Sequence, residues 1–306
     1  MTTPTRATLL HKLHRVLKRT YKYTLLTGEQ PLLESLLFAC CLENARADVA
    51  RQAFAKLQGA FFDWNEIRVS TVKELGEVLS ALPEPCEAAA KLKGILQSVF
   101  EADYSFDLEG LKKQNIGVAV KRLQKLQGAT PFNVAYATQT ALGGHSIPVD
   151  KGTFGTLVVL GVITESEARA GVVPGMERAI SKRNGYEFGS LLHELGADFF
   201  ANPYSPSLRE RLLLIAPDAK SRFPKRTPKK AVPEPAPAAE PVKTSADGKK
   251  KDKQRESRKA PVVSKRQKTT EKHAARVAKV PSRAKKKPTG VAKKAAAKTL
   301  ARRKPR

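Results

Sequence analysis

The sequence predicts an all-α globule of roughly 200 residues followed by a disordered basic tail, and three observations predict it. Apolar residues recur at helical spacing through the first 215 residues, while Val, Ile and Thr nowhere alternate with polar residues long enough to mark a strand. Charge is unevenly placed. Ser221 to Arg306 holds 30 Lys and Arg against 6 Asp and Glu, so the chain's net +27 leaves only +3 for residues 1–220. The same tail has one aromatic residue, Phe223, and few large aliphatics, so it lacks the apolar surface that would offset the entropy of ordering it. The expected division is a basic N-terminal helix over 1–27, a helical domain over 28–217 and a tail over 218–306.

Each element follows from local signals. Thr8–Arg19 sets Leu9, Leu10, Leu13, Val16 and Leu17 on one face and Lys and Arg on the other. Pro31 stands at the favoured first position of a helix reaching Leu42. Arg46–Leu57 is the next. Ser70 or Thr71 caps a helix rich in Glu and Leu, and Pro85 opens a long one to Glu101. Val118–Leu126 and Pro131–Leu142 flank a very short turn containing Gly128. Lys151–Leu160, Pro174–Arg183, Tyr186–Phe200 and Ser207–Ile215 complete the series. A globule of this size can bury a proper core.

Other classes are excluded or disfavoured. Cys40, Cys41 and Cys86 are odd in number and two are adjacent, which argues against a disulfide framework and a secreted compartment. No stretch reaches the roughly 18 apolar residues of a membrane span, and the basic N-terminus lacks a signal peptide's apolar run. An intracellular, monomeric protein is expected, in the cytoplasm and associated with DNA or the nucleoid.

The tail opens with a Pro-rich stretch, Pro233, Pro235, Pro237 and Pro241, which reads as a semi-rigid linker. Lysine clusters follow at Lys249, Lys250 and Lys251, at Lys285, Lys286 and Lys287, and at Lys293 and Lys294. The composition is similar to that of a linker-histone tail. Each cation that neutralises a phosphate releases counterions, and without aromatics there is no stacking platform for single strands. Double-stranded DNA is therefore the expected partner. The competing readings are a solubilising or localisation tail, or one that binds acidic proteins or anionic lipids.

Chemistry concentrates in Arg122–Gly161. A helix ends near Leu126, a tight turn runs Gln127-Gly128-Ala129-Thr130, Pro131 starts a second helix, and Gly143-Gly144-His145-Ser146 leads to Ile147-Pro148-Val149-Asp150. This order resembles the helix-hairpin-helix superfamily of base-excision DNA glycosylases, of which endonuclease III is the best-known member. Pro31–Leu37, Ala47–Leu57 and Leu191–Gly196 are similar to the family's early and late helices, and the resemblance spans about residues 28–215. It implies a glycosylase-like all-α fold and DNA repair by base excision.

The hairpin's implied task is phosphate contact through backbone amides, to which Gly128, Ala129 and Thr130 are assigned, with Lys125 and Lys151 beside them. Thr130 and Pro131 replace the family's second glycine and the residue after it, so the hairpin presents fewer donors. An ordinary helix connection is the competing reading. Asp150 stands where the family's aspartate stabilises the cationic sugar formed as the glycosidic bond breaks. The competing reading is a simple cap on the helix at Lys151. Phe132 occupies the position of the family's Schiff-base lysine, so the resemblance implies a monofunctional glycosylase that uses water. His145 and Phe132 are candidates to line the pocket. With no cysteine after Cys86, no iron–sulfur cluster is expected, nor any other metal site. The alternative to an enzyme is a non-catalytic DNA-binding or architectural protein on a degenerate glycosylase fold.

Overall fold

The computed structural model describes residues 5–23 and 31–225, which lie within one compact unit, residues 1–232. The lysine clusters of the tail, its Pro-rich stretch and the expected disorder beyond residue 225 lie outside the described residues. Among the described residues the regular structure is helical throughout.

The helices run α1 Arg6–Thr20, α2 Leu32–Leu42, α3 Ala47–Ala60, α4 Trp64–Val69, α5 Val72–Val78 and α6 Pro85–Asp103. After a 3-10 turn at Glu109–Lys113 come α7 Ile116–Leu123, α8 Pro131–Thr140, α9 Lys151–Val159, α10 Glu165–Arg169, α11 Met176–Ala179, α12 Lys182–Ala201 and α13 Pro206–Ile215. Side-chain caps fix several starts. Thr71 and Thr130 each form a reciprocal capping box with the residue three on, while Thr5, Asp63 and Asp150 accept an N–H of their own first turn.

Two differences from the expected elements have local causes. Pro174–Arg183 is not one helix. Ile180 adopts an extended conformation and Ser181 starts α12, so the chain turns between α11 and α12. The fold also continues past Pro217. A 3-10 turn at Pro217–Ser221 buries Ala219, and Arg222 donates Nε–H to the Val159 carbonyl at 2.8 Å.

Two apolar cores organise the unit. The first gathers α2, α3, α5, α6 and the hairpin helices around Leu36, Leu57, Leu92, Ile95 and Leu123. The second gathers α1, α9, α12 and α13 around Leu10, Leu13, Phe188, Leu192 and Leu212. Helix α1 belongs to this second core, with Leu9, Leu10, Leu13 and Leu17 buried. Helices α9 and α12 cross at close range. A Cβ at Gly152 would overlap the Gly196 carbonyl, and one at Gly196 would overlap Thr153. Glycine at both positions lets the two backbones meet.

Candidate functional site

The glycine crossing determines what faces Asp150. Gly196 and His193 lie one turn apart on α12, and Gly152 lies two residues after Asp150. Closing the helices at the glycines therefore brings His193 Nδ1 to 3.1 Å from Asp150 Oδ2. The contact is sealed, since the Asp150 side chain has 0% exposure and that of His193 has 4%.

Proton positions follow from the remaining partners. His193 Nε2 lies 2.8 Å from the Ala45 carbonyl, which can only accept, so Nε2 carries hydrogen. Asp150 accepts the Thr153 N–H on Oδ1 at 2.8 Å and the Asn44 N–H on Oδ2 at 3.1 Å. Two amide donors favour the carboxylate, and an imidazolium facing it completes the pair. Burial alone would push the Asp150 carboxyl up. His193 and the Thr153 amide outweigh it and hold the group below its ordinary value. Burial likewise opposes the charged His193, and Asp150 outweighs it and holds that pKa above the ordinary range. Asp150 is thus both a cap and an ion-pair partner, and no oxygen of it is open to solvent.

Two cavities meet at this wall. An open cleft of about 430 Å³ is lined by Asp150, Lys151, Phe132, Pro131 and Glu43. A narrow slot of about 80 Å³ lies where the two cores adjoin, between Phe38, Phe132 and Tyr136 on one side and Tyr23, Tyr186 and His193 on the other. Phe132 lines both, stacked near Tyr136 at 6.5 Å and tilted on His193 at 5.4 Å. Lys22 and Arg51 stand at the slot, and Gln139 brings a buried amide nitrogen with no partner among the described residues. His145, a candidate pocket residue from the sequence, lines neither cavity. Its Nε2 sits 2.8 and 2.9 Å from the Glu177 and Ile180 carbonyls, so the ring fastens its loop to the end of α11 instead. Trp64 stacks on Phe54 within the first core. The Cys40 and Cys41 thiols are buried and pushed up, Cys41 to about 12, which rules them out as nucleophiles at neutral pH.

The hairpin forms between α7 and α8. Gly128 has φ +86, and a Cβ there would crowd the Lys91 backbone, so the position needs glycine twice over. Its amides are largely committed. Gln127 donates to Ser98 Oγ, Ala129 to the Leu126 carbonyl, Thr130 to Asn133 Oδ1 and Asn133 to Thr130 Oγ1. Pro131 has no N–H, so Ala129 and Thr130 are not free donors as the resemblance implied.

Charge near the hairpin is also cancelled internally, which the sequence reading missed. The mostly buried Glu43 carboxylate lies 3.2 Å from the Thr130 hydroxyl and 2.9 Å from Lys91 Nζ. Lys151 Nζ sits 3.3 Å from Glu84 and 3.6 Å from Glu87. Of the two hairpin lysines expected to meet DNA, only Lys125 is exposed without an acidic partner among the described residues.

No family model matches the chain, and no curated protein matches it in sequence. Solved structures do match. A trapped endonuclease III–DNA covalent intermediate, the estranged-adenine complex, is 14% identical with a TM-score of 0.50, covering 72% of this chain and 100% of that one. A non-covalent endonuclease III–DNA complex is 16% identical with the same TM-score, covering 72% and 99%. At such identity the likeness concerns the fold. Two helical cores, a hairpin between α7 and α8 and an aspartate capping α9 together make this an all-α fold like that of the endonuclease III structures.

Proposed function

We propose that this chain is a DNA-binding protein of base-excision-repair type that acts as a monofunctional N-glycosylase on a base turned out of the duplex. One observation carries the reading: a buried, ionised Asp150 held at the start of α9, on the wall between an open cleft and an aromatic slot. A cap needs no such arrangement, because Ser, Thr or Asn serves as well. A buried ion pair is poor support for stability, since its desolvation offsets much of its attraction. Keeping a carboxylate ionised there fits a task that requires negative charge, such as stabilising the positive sugar that develops as an N-glycosidic bond breaks.

The aromatic slot suits a planar base stacked between rings, with Gln139 offering a hydrogen bond. Phe132 in place of an amine leaves water as the nucleophile and excludes a Schiff base at that position. The C-terminal segment, which has no cysteine, closes the second core through Leu208, Leu212 and Ala219, and no cofactor is invoked.

The test is base release from duplexes carrying a panel of oxidised, alkylated and mismatched bases. Wild type should release at least one. Asp150→Asn should release none while still binding DNA, the two proteins being compared well below the variant's Tm, which falls because the buried His193 loses its counter-charge. Equal release by the variant overturns the catalytic role of Asp150.

A second reading is favoured by a separate observation. The Asp150 carboxylate has no exposed oxygen, and the Ala129 and Thr130 amides of the hairpin are committed. A chain built so would dock on DNA without cutting a bond. Absence of release across the whole panel, with binding intact, selects this reading.

A further inference from the structure

The folded unit holds a second cationic surface, on which several cations carry no salt bridge among the described residues. Helix α1 carries no Asp or Glu at all. Lys12, Arg15 and Arg19 are exposed on it, and none has an acidic partner among the described residues. They recur every three to four residues, so they share one face, each step rising about 5 Å along the axis. The opposite face is the apolar one, anchored in the second core by Leu10, Leu13 and Leu17.

The surface extends onto the C-terminal segment. Helix α1 packs on α13, and Lys12 is near enough to Asp218 to influence its carboxyl electrostatically. Beside Asp218 lies an open hollow lined by Arg209, Lys220 and Lys225 and by no acidic residue. The Arg209 guanidinium is held between two rings, 5.7 Å from Tyr204 and 4.9 Å from Phe223. Its Nε is buried without a hydrogen-bond partner among the described residues. A guanidinium fixed by aromatic rings and lacking a carboxylate partner is suited to pair with the anionic oxygens of a phosphate. At its other end, α1 leads to Lys22, which stands at the aromatic slot.

We propose that this α1–α13 surface, from Lys22 through Lys12 to Arg209 and Lys225, is a phosphate-binding track for the backbone of duplex DNA. The assignment rests on the DNA-binding reading above and goes beyond it, because it places the folded unit's main phosphate contacts away from the hairpin. Counterion release requires cations that are not already neutralised. The hairpin region pairs Lys91 and Lys151 with Glu43, Glu84 and Glu87. On the α1–α13 surface Arg6, Lys18, Arg211 and Arg222 are paired with Glu167, Glu187, Asp198 and Asp218, while Lys12, Arg15, Arg19 and Arg209 carry no salt bridge among the described residues. In sequence it is followed by the basic tail.

Lysine reactivity in the full chain tests the proposal. Acetylation by a water-soluble reagent is read by mass spectrometry with and without a random-sequence 30-base-pair duplex. Lys12, Lys220 and Lys225 should become several-fold less reactive with DNA, and Lys151 should change little. Protection of Lys125 and Lys151 with Lys12, Lys220 and Lys225 unchanged overturns the track and restores the hairpin. If vesicles containing phosphatidylserine protect Lys12 and Lys220 and the duplex does not, the surface is a membrane contact and the proposal fails. If the full chain does not bind the duplex at all, the DNA-binding reading falls together with this one. An Arg15→Gln, Arg209→Gln double variant should bind with a salt slope shallower by about 2, since each lost phosphate contact removes about 0.9. An unchanged slope counts against the track.

Discussion

The hairpin between α7 and α8 and the outer face of α1 hold similar basic residues that differ in how many are paired with acids, for of the Lys and Arg on α1 only Arg6 and Lys18 form salt bridges to carboxylates among the described residues. Near the hairpin, Lys91 and Lys151 are held by Glu43, Glu84 and Glu87, and a carboxylate already lies at the start of α8. On α1, Lys12, Arg15 and Arg19 point away from the second core with no acid on their helix. The comparison teaches that a motif's shape and its charge are separable. This chain keeps the turn, down to the positive φ of Gly128, while its surroundings neutralise the charge that would make the turn attractive to a phosphate. On the proposed DNA-binding reading affinity comes from elsewhere, and the sequence places +24 of the net charge of +27 beyond residue 220.

Removing everything after Lys225 should produce the largest effect. The truncated protein retains both surfaces but loses half of the chain's Lys and Arg and most of its net positive charge. Its affinity for duplex DNA should fall by about a thousandfold or more at moderate salt, with a much shallower dependence on salt concentration. Gel-shift titrations at two salt concentrations measure both. Equal slopes for the two lengths would mean that the folded unit alone supplies the contacts.

The next effect concerns the wall between the cavities. His193→Ala leaves a buried carboxylate with no counter-charge, which should destabilise the protein by about 3–5 kcal/mol and lower Tm by about 10 °C. The wild type should also show a particular pH profile. His193 has a raised pKa, so its contribution is complete below its unfolded value of about 6.5 and is lost as pH rises through the folded value. Asp150 has a lowered pKa, so its contribution is complete above about 3.9 and is lost as pH falls through the folded value. The pair's stabilisation should therefore peak between about pH 4 and 6.5. Thermal melts from pH 3 to 9 read it. A paired Asp150→Asn, His193→Gln variant should lose both flanks of that peak, and a profile identical to wild type would show that the two groups are not an ion pair.

The smallest effect probes the hairpin itself. In the protein ending at Lys225, Glu43→Gln removes the carboxylate at the start of α8 and frees Lys91. Duplex affinity should rise a few-fold, which is about 1 kcal/mol. No change would show that the closed turn, with its committed amides, limits binding regardless of the nearby charge.

Much of this was legible in the chain. The apolar spacing in α1, the Thr130-Pro131 start of α8 and the cap at Asp150 are local patterns, and the structure reproduces them. What was not legible depends on residues distant in sequence. Nothing near Asp150 announces His193, which is brought in by a glycine crossing on a helix some forty residues on. Glu43 reads as an ordinary helix end until the fold carries it to Thr130, 87 residues away. His145 failed for the converse reason. Its closeness to Asp150 in sequence suggested a shared cleft, but the two glycines before it let the loop turn toward α11. The short helices α4 and α10 are too brief for periodicity to reveal.

The loop after α2 adds a mechanical side to the wall between the cavities. Asn44, with φ +63, sends its N–H to Asp150, and the next residue, Ala45, receives His193. That loop belongs to the first core, while His193 is carried by a helix of the second. The pair is therefore also a rivet between the two halves of the molecule. Anything that withdraws the Asp150 charge, whether protonation or engagement with a cationic sugar, slackens the joint that shapes the slot beside it. A chain arranged in this way cannot tune its reactive group and its jaw stiffness independently. Selection on one is necessarily felt by the other.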